Sequence, residues 1–256
     1  MNQYVHPKEK LYYTISLVVS ILIYVALLVS IVGILYGLII GCAALVLQGI
    51  FVGRLRGNGV RVTERQFPML QAMAVKVAAR LELPAVPEIY VLQEGGALNA
   101  FATSFVSRNF VVVYSDILEL AYEQGEAELA FVLAHELAHV KLGHVKKKLW
   151  LFPARIIPFL SQAYSRACEY SCDAIGAALE PEGALGGILV LASGKRLYRE
   201  MDLAAFVEQA RQPTDFWMWL AEHLATHPNL PKRVDAIGMA LHAAPANAGT
   251  SVVATA

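Results

Sequence analysis

The sequence predicts a mainly α-helical domain with a small β-sheet, an α+β arrangement, preceded by a transmembrane helical hairpin. Three observations carry that expectation: Leu11 to Gly53 contains no charged side chain, short β-branched and aromatic runs cluster between Glu88 and Tyr114, and helical periodicity dominates from Ser115 onward. The chain has 256 residues, is 57% hydrophobic and balances 21 Lys+Arg against 21 Asp+Glu. It is too apolar for a disordered chain and lacks the positive excess of a nucleic-acid binder, so no nucleic-acid partner is expected. Three cysteines, one of them inside the uncharged run, supply no disulfide framework and point to a reducing compartment.

An average stretch of that length would carry about seven charges at the chain's overall density, so their absence assigns it to lipid. As one helix it would measure roughly 65 Å, twice the ~30 Å hydrocarbon core, and two spans fit better. These are placed near Leu11 to Ile31 and Leu35 to Gly53, with Gly33 and Gly37 bracketing an apolar turn. A cleaved signal peptide would be far shorter. Lys8 and Lys10 precede the first span, and Arg54, Arg56 and Arg61 follow the second, so both flanks are expected in the cytoplasm, with residues 1–10 as a cytoplasmic N-terminus.

Residues 54–242 are read as one domain, followed by a disordered tail at 243–256. A helix is expected over Arg65 to Leu83, closed by Pro84, and then about three strands at Glu88 to Leu92, Ala100 to Phe105 and Phe110 to Tyr114. Helices follow at Ser115 to Tyr122, Glu126 to Leu142, Gln162 to Leu179, Glu182 to Tyr198, Phe216 to Ala225 and Lys232 to His242. Leu149 to Tyr164 follows the basic run Lys146 to Lys148 and is broken by Pro153, Arg155 and Pro158; it reads as an element lying on the membrane surface or as a buried connector.

The chemistry concentrates in His135-Glu136-Leu137-Ala138-His139. On a helix, imidazoles four residues apart project from one face about 6 Å apart at Cβ, which suits one zinc ion. Glu136 can then reach water beside the metal without ligating it, as a general base must. Shuffling this composition would produce the pattern in about one chain in a hundred. Zinc needs a third protein ligand and an open corner. A metzincin would place Gly and His three and six positions past the second His, where this chain has Leu142 and Val145. Glu169 is the better candidate, because Asp173 lies one helical turn further on and can accept a hydrogen bond from a ligand histidine.

His144, following Gly143, is out of phase with the pair and reads as a helix C-terminal dipole partner. Cys168 and Cys172 share a face; they read as packing residues, the alternative being a closed structural site of two His and two thiolates.

His135 to Val140 with Gly143-His144, Ser165-Arg166 with Glu169 and Asp173, Asn99-Ala100-Phe101-Ala102, and Thr226-His227-Pro228 with Arg233 together resemble the HtpX-type and type 1 CAAX prenyl protease family. The resemblance runs from about Arg61 to Leu241. It implies a zincin-like metallopeptidase domain in a bacterial-type cytoplasmic membrane, with one Zn2+ held by His135, His139 and Glu169, Glu136 as catalytic acid and base, and Asp173 behind a ligand. It also implies that the strand after Asn99 (Asn99, Ala100, Phe101 and Ala102) receives the substrate backbone, and that His227 and Arg233 stabilise the developing oxyanion. Family members commonly carry further membrane segments between the zinc motif and the third ligand; only 29 residues separate His139 from Glu169 here. That favours a cytoplasmic domain resting on the lipid bilayer and acting on polypeptides near it. A non-catalytic zinc-stabilised scaffold and a prenyl-protein endoprotease are the competing expectations.

Overall fold

The computed structural model describes residues 1–93, 100–105 and 108–243. Asn99 and the tail beyond residue 243 therefore lie outside the described residues. Two long apolar helices come first: α1 (Pro7–Val29), whose start is capped by the His6 ring accepting from the Lys8 N–H, and α2 (Ile31–Asn58). Their side chains are largely exposed, Val29 at 85% and Ile31 at 87%, so they are not core helices of a water-soluble body.

The hairpin turn falls at Ser30, not between Gly33 and Gly37 as the spacing suggested. Ser30 is extended, and its Oγ accepts from the Gly33 N–H, which ends one helix and caps the next within one residue. Gly33 serves a different purpose: a Cβ there would stand 2.5 Å from the Leu27 carbonyl oxygen, so the glycine permits the close turn. The second helix also continues past Gly53 to Asn58, carrying Arg54 and Arg56 beyond the apolar stretch.

The remaining elements are β1 (Val60–Arg61), α3 (Pro68–Arg80), β2 (Glu88–Leu92), β3 (Ala100–Phe105), β4 (Arg108–Tyr114), α4 (Ser115–Gln124), α5 (Ala127–Lys141), α6 (His144–Trp150), α7 (Leu160–Leu179), α8 (Pro181–Leu197), α9 (Leu203–Glu208), α10 (Phe216–Leu224) and α11 (Leu230–Ala243). The sheet has four strands in the order β1-β2-β4-β3, one more than expected, because the two-residue β1 is too short to leave a sequence signal. β2 and β4 run parallel; β1 and β3 pair antiparallel on the outside, with Ala100 opposite Val113 and Phe105 opposite Arg108.

Both faces of the sheet are covered. Ile89, Val91, Val111 and Val113 point into the main core with α5, whereas Tyr90, Phe110 and Val112 pack on Val52 and Leu55 of α2. The alternation continues in β3: Ala102 packs toward the main core, while Phe101 and Phe105 pack toward α2, and the Gln48 amide of α2 donates to Thr103 Oγ1. The C-terminal end of the second apolar helix thus forms the floor of the sheet.

α5 is the central helix, buried without interruption from Leu129 to His139. α8 approaches it closely because position 183 is glycine: a Cβ would sit 1.8 Å from the Ala127 carbonyl oxygen.

Candidate active site

Two crossing helices build the site. Leu137 and Ala138 bury α5 in the core, which turns His135, Glu136 and His139 toward α7 and a cleft. The amphipathic α7 presents Glu169 and Asp173 to them from fully buried positions one turn apart. His135 Nε2 lies 3.3 Å from Glu169 Oε2, His139 Nε2 lies 3.3 Å from Glu169 Oε1, and the two Nε2 atoms are 3.2 Å apart.

That triangle can be tested against a metal. A tetrahedral zinc with bonds of about 2.0–2.1 Å to nitrogen and oxygen sets ligand-to-ligand edges of roughly 3.3–3.4 Å. The two Nε2 atoms are separated by close to one such edge, and each stands at that distance from a different oxygen of the Glu169 carboxylate, so the three residues gather around a space the size of one ion and fit it. Cys168 and Cys172 are free and buried; Cys172 Sγ lies 3.6 Å from His144 Nδ1, behind His139, and among the described residues neither thiol falls in one metal-sized group with both His135 and His139.

Electrostatics follow from burial. Desolvation alone would make His135 harder to protonate, but the Asp173 and Glu169 carboxylates outweigh it and raise the imidazole to about 10 in the metal-free chain. Desolvation keeps His139 below its ordinary value. Glu169 is also desolvated, yet the His139 and His135 rings hold it well below the carboxylate range. Burial raises the Glu136 carboxyl, with the Glu169 charge adding to the effect. A raised carboxyl beside a cleft is suited to taking and returning a proton.

Behind the donors stand two supports. His135 Nδ1 is 2.9 Å from Asp173 Oδ1, off the line of a straight hydrogen bond, and Arg233 clamps Asp173 with two bonds of 2.7 Å from Nε and Nη2. Arg233 is buried and committed to Asp173; its nearest approach to Glu169 is 3.9 Å. That buried ion pair pins α11 to the back of the site.

His139 has a support that sequence reasoning missed. Gly143, in the left-handed region at φ 69°, reverses the chain, so His144 opens α6 rather than ending α5 as expected. His144 Nδ1 lies 2.9 Å from His139 Nδ1, and its Nε2 lies 3.0 Å from Oε1 of Glu9 in α1. Ser171 Oγ donates to the other Glu9 oxygen. Burial lowers His144 to about 4, so it is neutral and can accept from His139 while donating to Glu9. The signal that could have found Glu9 is a carboxylate at the mouth of an apolar helix.

The open corner faces a cavity of about 270 Å³ lined by Ala100, Phe131, His135, Glu136, His227 and Arg233, among others. His227 is 62% exposed and its Nε2 is 3.5 Å from Glu169 Oε1, so the structure brings it to the rim. β3, with Ala100, Phe101 and Ala102, forms the sheet edge beside α5. Of the sequence-derived candidates only Asn99 cannot be placed.

A buried His-Glu-x-x-His helix answered by a carboxylate from a second helix defines a metallopeptidase-type centre. The sequence profile of peptidase family M48 matches residues 64–154 and 151–240, and the chain belongs to that family. Plastoglobule-localized metallopeptidase 48, chloroplastic, of Arabidopsis thaliana is 30% identical over 177 residues, covering 60% of this chain and 49% of its own length. A protease HtpX homolog of Methylibium petroleiphilum is 40% identical over 85 residues, covering 33% of this chain and 28% of its own. The match therefore spans half or less of either relative. The crystal structure of S. mikatae Ste24p aligns with 80% of this chain and 57% of its own at a TM-score of 0.49 and 12% identity.

Proposed function

We propose that this chain is a membrane-anchored, zinc-dependent endopeptidase acting on membrane-associated or misfolded polypeptides. The observation that carries the reading is the triangle of His135, His139 and Glu169 donors, whose open side meets Glu136 and a cleft beside a sheet edge. Zinc, when bound there, supplies a Lewis acid that polarises the scissile carbonyl and acidifies water.

The chain's own residues do the rest. Glu136 takes the proton of the attacking water and returns it to the leaving amine, a role worth roughly 10²- to 10⁴-fold. His227 at the rim donates to the oxygen that becomes negative as the carbonyl is attacked. Arg233 acts through Asp173 and adds positive charge at the back of the cleft. An extended substrate segment adds to β3 through main-chain hydrogen bonds, which makes side-chain preference loose.

Selectivity then comes from access. Residues 11–53 cross the bilayer as a hairpin, and Lys8, Lys10, Arg54, Arg56 and Arg61 favour a cytoplasmic position for both flanks and for the domain at 54–242. Substrates are segments exposed close to that surface.

The test is Glu136→Gln in detergent-purified protein. Metal content should be retained while hydrolysis of an unfolded protein such as casein falls at least 100-fold. A wild-type protein that holds metal yet cuts nothing the variant spares would reduce the site to a structural one.

A further inference from the structure

Outside the site, the largest unexplained feature is an aromatic face. All three tryptophans of the chain lie on it: Trp150 at the end of α6, and Trp217 and Trp219 on α10. Trp150 is 69% exposed and Trp217 73%, and Leu149, Ile156 and Phe216 beside them are exposed as well. α10 is almost wholly apolar yet buries none of its residues. A water-soluble surface rarely leaves such a patch uncovered.

Both elements are held on α7 and the turn that leads into it. The Phe159 ring lies 6.0 Å from Trp219, and Arg166 donates from Nη1 to the carbonyls of Glu222, His223 and Ala225, which fixes the end of α10 to α7. The α6 side adjoins α1: Leu151 and Tyr164 cluster with Tyr12, Tyr13 and Leu17, and the Lys147 ammonium sits over the Tyr13 ring. Leu17 is six residues inside the uncharged run, about 9 Å along the helix. An element packed there lies at the depth of headgroups and upper acyl chains. Lys146 and Lys148 are exposed next to Leu149, where anionic headgroups would meet them.

We propose that the face made by α6, the turn through Ile156 and α10 is a lipid-docking surface, inserted into the bilayer interface beside the hairpin. Tryptophan suits that position, with an apolar ring body and one polar N–H. The inference rests on the membrane-hairpin part of the proposed function and extends it: the domain grips the bilayer directly as well as through α1 and α2, which fixes the height of the cleft above the surface.

Because the three tryptophans all sit on this face, intrinsic fluorescence of the full wild-type chain reads it alone. The protein is reconstituted into phosphatidylcholine and phosphatidylglycerol vesicles with plain or brominated acyl chains. Blue-shifted emission that loses most of its intensity to brominated lipid, and little to aqueous iodide, is expected. The same should hold for Trp150→Phe and for Trp217→Phe/Trp219→Phe separately, showing that both elements insert. Quenching by iodide but not by bromolipid overturns the proposal, as does protection from both, which would mean that protein covers the face. Cys42, the one exposed cysteine, lies in α2 and reports on the hairpin independently. Its labelling by a membrane-impermeant maleimide would sink hairpin and docking surface together, whereas a protected Cys42 with iodide-quenched tryptophans would sink the docking surface alone.

Discussion

At the scale of single residues, each of the two candidate ligand histidines is held from behind by a different charge. His135 leans on Asp173, which is itself neutralised by Arg233, and His139 leans on His144 and through it on Glu9. Asp173→Asn should weaken zinc binding about 10- to 100-fold, measured by competition with a chromophoric chelator. It also removes the partner of a buried guanidinium, so thermal stability should fall by several kcal/mol. Glu9→Ala should weaken zinc binding in the same range, although Glu9 never touches the metal; unchanged affinity would show that the His139 support is idle. Because His135 rises to about 10 in the metal-free chain, it is protonated at neutral pH, and zinc must displace that proton. Apparent zinc affinity should climb with pH, by up to about tenfold per unit below that value, and calorimetry in two buffers of different ionisation heat should detect proton release. By the same sign, the metal-free chain draws stability from this imidazole that is full below about 6.5 and lost as pH rises toward 10. His135, Glu136, His139, Glu169 and Asp173 were legible because helical spacing of three or four residues puts neighbours on one face. Glu9 was not, since its contact with His144 spans 135 positions and no local pattern encodes it.

Among the elements, the close crossing of α5 and α8 carries the most exacting requirement. A methyl group at Gly183 would overlap the Ala127 carbonyl, so Gly183→Ala should force the helices apart and cost about 1–3 kcal/mol or more. A lower midpoint of thermal unfolding in detergent, with metal content measured alongside, is the expected readout; an unchanged midpoint would mean that the crossing adjusts freely. Helices with strong periodicity were legible to within a few residues, as α7 and α10 illustrate. Elements set by single-residue backbone devices were not. Ser30 ends one helix and caps the next, and Gly143, which reads as the close of a helix ending at Leu142, also opens another at His144. β1 exists because two residues reach the edge of β2, a tertiary event invisible to alternation.

Across the whole molecule, the apolar α2 and the His-Glu-x-x-His helix α5 lie on opposite faces of one sheet, so the cleft is tied mechanically to the apolar hairpin. The Gln48 contact with Thr103 and the packing of Phe101 against Phe51 fasten the edge strand β3 to α2 on one side. Glu9 and His144 fasten α1 to the donor cluster on the other. The apolar helices and the donor cluster are therefore joined by side-chain contacts on both sides. X-ray absorption at the zinc edge of the metal-loaded chain tests the central claim most directly. Two imidazoles and two oxygen donors at about 2.0–2.1 Å, with no sulfur, are expected for an open-cornered site. A sulfur shell near 2.3 Å, or a third imidazole in place of the second oxygen, would contradict it.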